Sequence, residues 1–200
     1  MSSSFKVVDA IHQLEVVDRS STTFRSEHTF VVEATLPSRF FVREYYWTGS
    51  GVEKEPVPEL VSDIDAWGFP LQRIHGPLIV EGQARIVLVD LGRTINVGEQ
   101  ETLVFRHKMK DLGGSFRPFL RVRPTKAIEN VLRLTVVLPE WSGLRVQYLR
   151  FTHDTEKVIE SEEIMGRSAC EGRLVFEKEI FKPNRNNMGH RIEWTHSSQD

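Results

Sequence analysis

Apolar and polar residues alternate with a period of two along most of this chain. In FRSEHTFVVEA, one face carries Phe24, Ser26, His28, Phe30, Val32 and Ala34, and the charged residues fall on the other face. Successive side chains of a β-strand point to opposite sides, so this pattern is typical of a strand with one buried face. The alternation recurs in NVLRLTVVLP and LRVQYLRF. It predicts an all-β chain.

Glycine- and proline-containing breaks cut the alternating stretches into pieces of strand length. Gly49-Ser50-Gly51, Gly76-Pro77 and Gly113-Gly114 are examples. About ten to twelve strands result, a number typical of an antiparallel β-sandwich. We predict one β-rich domain over residues 1–200, with a division into two joined sandwich-like lobes, 5–95 and 97–196, left open. ARIVLVDL is apolar on both faces and predicts a central strand covered on two sides.

One short helix is expected near residues 58–67. Pro58 suits a first helical position, Leu60, Ile64 and Trp67 would share a side, and Gly68 followed by a proline at position 70 would end the helix.

The C-terminal stretch FKPNRNNMGHRIEWTH combines turn residues with alternating apolar ones. Asparagine and glycine readily adopt positive φ angles, and proline presets the entry to a turn. Leu174 and Phe176 precede this turn, and Ile192 and Trp194 follow it at period two. The pattern predicts a hairpin whose second arm is the last strand, with Trp194 in the core.

Composition sets limits on location and chemistry. There is one cysteine, Cys170, no basic and apolar leader at the start, and no apolar run near the roughly 18 residues that span a bilayer. We expect a cytoplasmic protein without membrane contact. No nucleophile, cofactor or phosphate-loop motif is present, and the seven histidines form no metal-ligand pair. No catalytic residue, metal or cofactor is therefore predicted.

An aromatic strand offers a candidate partner surface. FFVREYYWTGSG carries bulky residues on both of its faces, so part of that aromatic surface is expected to remain exposed. The predicted partner-binding residues are Tyr45, Tyr46, Trp47 and Trp67. The leading hypothesis is a non-enzymatic module that binds another protein, with self-association left open.

The third quarter of the chain is basic and suggests a first alternative. Residues 101–150 hold ten Lys or Arg and four Asp or Glu, whereas the chain as a whole has a net charge of −2. The alternative is a β-domain that binds a polyanion, such as a nucleotide or a nucleic acid, through Arg106, Lys108, Arg121 and Arg123. The pI near 6.4 argues against a dedicated nucleic-acid protein.

A second alternative is a hydrolase or metal enzyme assembled from distant residues. Its candidates are His107, His153, Asp154 and His190, whose spacing in the sequence does not predict whether they meet.

Overall fold

The computed structural model describes residues 4–18, 20, 22–46, 57–81, 84–123, 127–183 and 188–197. These residues form fourteen strands: β1 Phe5–Val16, β2 Thr23–Ala34, β3 Ser38–Tyr46, β4 Glu59–Val61, β5 Arg73–Glu81, β6 Ala84–Ile95, β7 Gln100–Lys110, β8 Phe119–Val122, β9 Ile128–Pro139, β10 Arg145–Thr152, β11 Val158–Glu163, β12 Arg167–Ala169, β13 Arg173–Phe181 and β14 Met188–Thr195. The expected all-β architecture is confirmed.

The strands assemble into three sheets. A seven-stranded sheet has the order β12-β13-β9-β1-β2-β7-β4, a four-stranded sheet the order β11-β10-β14-β8, and a three-stranded sheet the order β3-β6-β5. Strands β1 and β9 pair in parallel, and the other pairs are antiparallel. Strands from both halves of the chain therefore share the seven-stranded sheet.

The alternation read from β2 sets the buried face of the seven-stranded sheet. Two rows of residues cross β1, β2 and β7 on that face: Leu14, Ser26 and His107 in one, and His12, His28 and Phe105 in the next. Phe24 and Phe105 are fully buried. Burial of each such ring stabilises the fold by roughly 1.5–3 kcal/mol.

Both smaller sheets pack on this same face and share one hydrophobic core with it. On the three-stranded sheet, the Phe41 ring lies edge-on to Phe5 with 5.9 Å between centroids. On the side of the four-stranded sheet, the Phe116 ring of the β7–β8 connection lies between Phe24 and Trp194. The buried position predicted for Trp194 is confirmed.

Strand β6, which contains ARIVLVDL, is the central strand of its sheet, as predicted. Val87 and Val89 are buried on its inner face. Ile86 and Leu88, on its outer face, are only partly buried, so the expected cover on both sides is wrong for the outer face.

The helix expected near residues 58–67 is absent, and that prediction is wrong. Residues Glu59–Val61 instead pair with β7. The segment after them forms a turn, in which an Asp65 carboxylate oxygen accepts hydrogen bonds from the backbone N–H groups of Trp67 and Phe69. An aspartate that bonds the backbone two residues ahead favours a turn over a helix.

The hairpin predicted from FKPNRNNMGHRIEWTH is also wrong. Its two arms, β13 and β14, both form as strands, but β13 pairs with β9 and β14 pairs with β10 and β8. The connection passes from one sheet to the other, and its residues 184–187 lie outside the described part. In the described ranges, no helix has the length and apolar character needed to cross a membrane.

Candidate functional site

The four aromatic residues predicted to bind a partner have different environments. Tyr45 points into the core, where its ring lies 5.1 Å from that of His107. Trp67 is 84% exposed at the tip of the turn after β4. The side chain of Tyr46 and all of Trp47 lie outside the described part. Trp67 is therefore the one of the four whose described position suits a surface contact.

The outer face of the three-stranded sheet carries adjacent apolar side chains that are open to solvent, together with the polar residues Glu44, His75 and Asp90. Val42 pairs with Leu88, and Ile86 pairs with Leu78, so these four side chains are adjacent. Phe40 lies two residues before Val42 on the same side. Val42 is 49% exposed and Leu78 is 66% exposed. We call Phe40, Val42, Leu78, Ile86 and Leu88 the outer apolar face.

The turn after β4 adds a second set of exposed apolar side chains. Ile64, Trp67, Phe69 and Leu71 are each more than half exposed. The backbone N–H of Leu71 bonds to the carbonyl of Asp63 across the base of this turn. We call residues 62–72 the aromatic loop.

The aromatic loop is packed directly against the three-stranded sheet at Gly92 of β6. An ideal Cβ built on Gly92 would lie 2.2 Å from the carbonyl oxygen of Leu71, and Gly92 has a φ of 74°. Only glycine fits this approach without movement of the backbone. The contact anchors the loop beside the sheet that carries the outer apolar face.

The four predicted anion-binding residues divide between two sheets. Arg106 and Lys108 lie on β7, and the Arg106 guanidinium forms an ion pair with Glu27 at 2.8 Å. Arg121 on β8 and Arg123 just after it both bond to one carboxylate oxygen of Glu156. The basic quarter of the sequence therefore does not form one continuous stripe.

Aromatic rings support the arginines on the outer side of the four-stranded sheet. The guanidiniums of Arg121 and Arg191 lie 4.6 and 5.6 Å from the ring centroid of Phe151. Arg191 also pairs with Glu193 at 2.9 Å. Because Glu156 and Glu193 form ion pairs with these arginines, much of the positive charge of the arginines is neutralised within the chain.

A cluster of polar side chains lies between the seven-stranded and three-stranded sheets. The Arg43 guanidinium, only 7% exposed, lies 4.2 Å from the centroid of Phe105. Burial lowers the pKa of Arg43 to about 9. Beneath it, the Nδ1 atoms of His12 and His28 are 2.7 Å apart.

The histidines of this cluster are neutral at pH 7. Burial, together with the nearby Arg43 charge, lowers the pKa of His12 to about 3 and that of His107 to about 4. The same two causes, first burial and then Arg43, place the pKa of His28 well below its usual value. The cluster thus carries a single positive charge, on Arg43.

A second polar group lies between β13 and the four-stranded sheet. A pocket of about 290 Å³ opens there, with Tyr148, Arg150, Lys178 and His190 in its lining. The Tyr148 hydroxyl and the His190 Nδ1 atom share a hydrogen bond of 2.8 Å that links β10 to β14. Burial raises the pKa of Tyr148 to about 12 and lowers that of His190 to about 4, so both are neutral near pH 7.

The residues of the predicted hydrolase or metal site lie in two different places. His107 is beside Arg43 under the three-stranded sheet, whereas His190 is bonded to Tyr148 in the four-stranded sheet. Within the residues that the structure describes, no group of three or more His, Cys, Asp or Glu could hold a metal ion.

Arg43 and the pair His12 and His28 were not predicted from the sequence, although the sequence carries a signal for them. In FFVREYYW, Arg43 occupies the inward position between Phe41 and Tyr45. In β2, Ser26 and His28 occupy core positions of a strand that is otherwise apolar on that side. Polar residues at core positions of an alternating strand would have indicated an interior polar cluster.

Comparisons with known proteins give a fold but no family. No protein-family model matches the sequence, and no curated protein matches it. Among solved structures, a point mutant of a two-domain M1 zinc metallopeptidase bound to L-tryptophan has a TM-score of 0.50 and 12% identity, over 96% of this chain and 43% of that one. An M1 zinc metallopeptidase from Deinococcus radiodurans has a TM-score of 0.50 and 13% identity, over 96% of this chain and 42% of that one.

These similarities concern the arrangement of strands alone. At such identities, activity and site residues do not carry over from one chain to the other. The chain spans less than half the length of the structures it matches.

Proposed function

We propose that this chain is a non-enzymatic β-domain that binds another folded protein through the outer apolar face and the aromatic loop. The observation that carries the proposal is the adjacency of apolar side chains on one side of a sheet: the exposed Val42 lies beside the partly buried Leu88, and the exposed Leu78 lies beside the partly buried Ile86. A half-buried antiparallel sheet ordinarily places polar residues on its solvent side.

The outer apolar face and the aromatic loop leave apolar area in water. Burial of such area against a partner contributes roughly 25 cal/mol per Å². Trp67, 84% exposed, adds a large rigid ring, and tryptophan is prominent among the residues that dominate binding energies. An aromatic anchor beside a flat apolar face is a common arrangement in protein interfaces.

The solved structures support a folded domain as the partner. In the two-domain metallopeptidase, the part that resembles this chain is 43% of the whole, so the same fold is joined there to further protein. We infer that the outer apolar face receives a folded domain, either on a separate chain or on a longer form of this one.

Photo-crosslinking from the outer apolar face tests the proposal. A photoreactive phenylalanine analogue is placed at Val42 in β3, or at Val158 in β11 as the matched control. Both positions are exposed valines in strands, at 49% and 43% exposure. After irradiation in cells that produce the chain, mass spectrometry should identify one discrete protein adduct at position 42 and none at position 158.

Equal adduct formation at both positions would contradict a dedicated docking face. The photoreactive residue is also placed at positions 67 and 78. A dedicated docking face would equally be contradicted if no adduct formed at position 42, 67 or 78. An adduct between two copies of this chain would keep the surface but identify self-association instead of a different partner.

A further inference from the structure

Arg43 is a buried cation without a carboxylate partner among the described residues. It is 7% exposed, and its Nη1 atom has no hydrogen-bond partner. The described ion pairs of the chain do not include it. Charged residues are almost never fully buried unless they are paired, because a lone buried charge costs several kcal/mol.

The aromatic rings around Arg43 hold its position but do not satisfy its N–H groups. The guanidinium carbon is 4.2 Å from the Phe105 centroid and 5.4 Å from the Phe30 centroid. The faces of the rings attract the positive charge electrostatically, whereas the five N–H donors of a guanidinium point outward within its own plane. A ligand in that plane can accept hydrogen bonds while the rings stay in place.

Two more buried polar atoms near Arg43 lack partners. These are the Ser26 hydroxyl oxygen and the His107 Nε2 atom, on side chains that are 5% and 6% exposed. Ser26 and His107 face each other across β2 and β7, one row from His28 and Phe105. Since buried polar groups are nearly always hydrogen-bonded to protein, water or a ligand, three atoms without a protein partner in one cluster mark a place where a polar molecule can bind.

The cluster is open to solvent at one side. His12, His28 and Phe30 lie on the same face of the sheet and are only partly buried. We expect a small ion to approach Arg43 from this side.

We propose that Arg43, Ser26 and His107 form a binding site for a small oxyanion, a carboxylate or a phosphate group. The guanidinium supplies the charge and a planar pair of donors, which matches two oxygens of the ligand. The Ser26 hydroxyl and the neutral His107 ring supply further hydrogen bonds. Because Arg43 points inward from β3 while Val42 points outward, this site is independent of the outer apolar face.

Thermal unfolding of the full chain in the presence of small anions tests the site. Acetate and inorganic phosphate are titrated separately against sodium chloride at matched ionic strength, because phosphate also stabilises proteins non-specifically. At least one of the two should raise the Tm along a saturable curve, and which one does so identifies the ligand class. The curve should be lost in Arg43→Met and weakened at least tenfold in apparent affinity in Ser26→Ala.

Arg106→Met is the matched control, because Arg106 is exposed and already paired with Glu27. It should keep the anion response unchanged. In chloride alone, Arg43→Met should be at least as stable as the parent, since it removes an unpaired buried charge. The proposal is overturned if neither anion gives a saturable shift, if the shift persists in Arg43→Met, or if Arg43→Met lowers the Tm in chloride.

Discussion

Lowering the pH from 7 to 5 is expected to decrease the free energy of unfolding by several kcal/mol. Burial lowers the pKa of His107 and of His190 to about 4, below the value near 6.5 of an unfolded histidine. Between these values the unfolded chain binds more protons than the folded one. Stability is therefore complete above about pH 6.5 and is lost as the pH falls toward 4.

Each of these two histidines should contribute roughly 2 kcal/mol to the loss between pH 7 and pH 5. Urea unfolding at a series of pH values measures the free energy of unfolding and therefore this loss. His107→Gln and His190→Gln should each reduce the pH dependence, even if each also lowers stability at pH 7. His75→Gln is the control, because His75 is exposed, and it should leave the slope unchanged. A parent protein equally stable at pH 7 and pH 5 would contradict the buried, neutral state of these rings.

Among the described glycines at the surface, Gly92→Ala should be the most damaging exchange. The new Cβ would meet the Leu71 carbonyl oxygen at 2.2 Å, and the φ of 74° is unfavourable for alanine. A left-handed backbone costs a non-glycine residue roughly 1–2 kcal/mol. With the displacement of the aromatic loop added, we expect a loss of roughly 3 kcal/mol, measured by urea unfolding.

Gly98→Ala separates the cost of a left-handed backbone from the cost of displacing the aromatic loop. Gly98 has a φ of 82°, but nothing lies within 4 Å of its ideal Cβ, so only the backbone cost of roughly 1–2 kcal/mol applies. Deuterium uptake should also rise in the aromatic loop of Gly92→Ala and not in that of Gly98→Ala. Equal losses of stability in the two variants would mean that the contact between the loop and β6 is unimportant.

The positions of the long core strands could be predicted from the sequence because these strands have one strongly apolar face, whereas every residue of β11 is exposed. The alternation of β2 places Phe24 and Val32 inward as expected. The alternation of apolar and polar residues is a local property of the sequence, so it indicates a strand whichever neighbour that strand pairs with.

Pairing between strands could not be predicted in the same way. The turn chemistry before Met188 is compatible with a hairpin, yet β14 crosses to the four-stranded sheet and pairs with β10. Turn residues determine that the chain reverses, whereas the partner of each arm depends on contacts that are distant in sequence. Likewise, Leu60, Ile64 and Trp67 fit a helical face, but the pairing of Leu60 with Phe105 and the Asp65 turn favour the extended form.

For the surface as well, local features could be predicted from the sequence, whereas features that depend on strand pairing could not. Trp67 was predicted to bind a partner; it is 84% exposed, and its contact with a partner stays a prediction. The outer apolar face was not foreseen, because it arises only when β3, β6 and β5 lie side by side and present Val42, Leu88 and Leu78 together. Similarly, Arg106 and Arg121 are close in sequence but belong to different sheets.

The proposed docking face is tested most directly by isothermal titration calorimetry. The partner identified by crosslinking is titrated separately with the parent protein, with Val42→Asp and with Val158→Asp. Both variants place a carboxylate on an exposed strand valine, so both should fold like the parent by circular dichroism. Val42→Asp is expected to raise the Kd at least about 30-fold, the equivalent of about 2 kcal/mol, and Val158→Asp to leave it within about twofold. Binding of Val42→Asp with the parental Kd would contradict the outer apolar face as the site of contact.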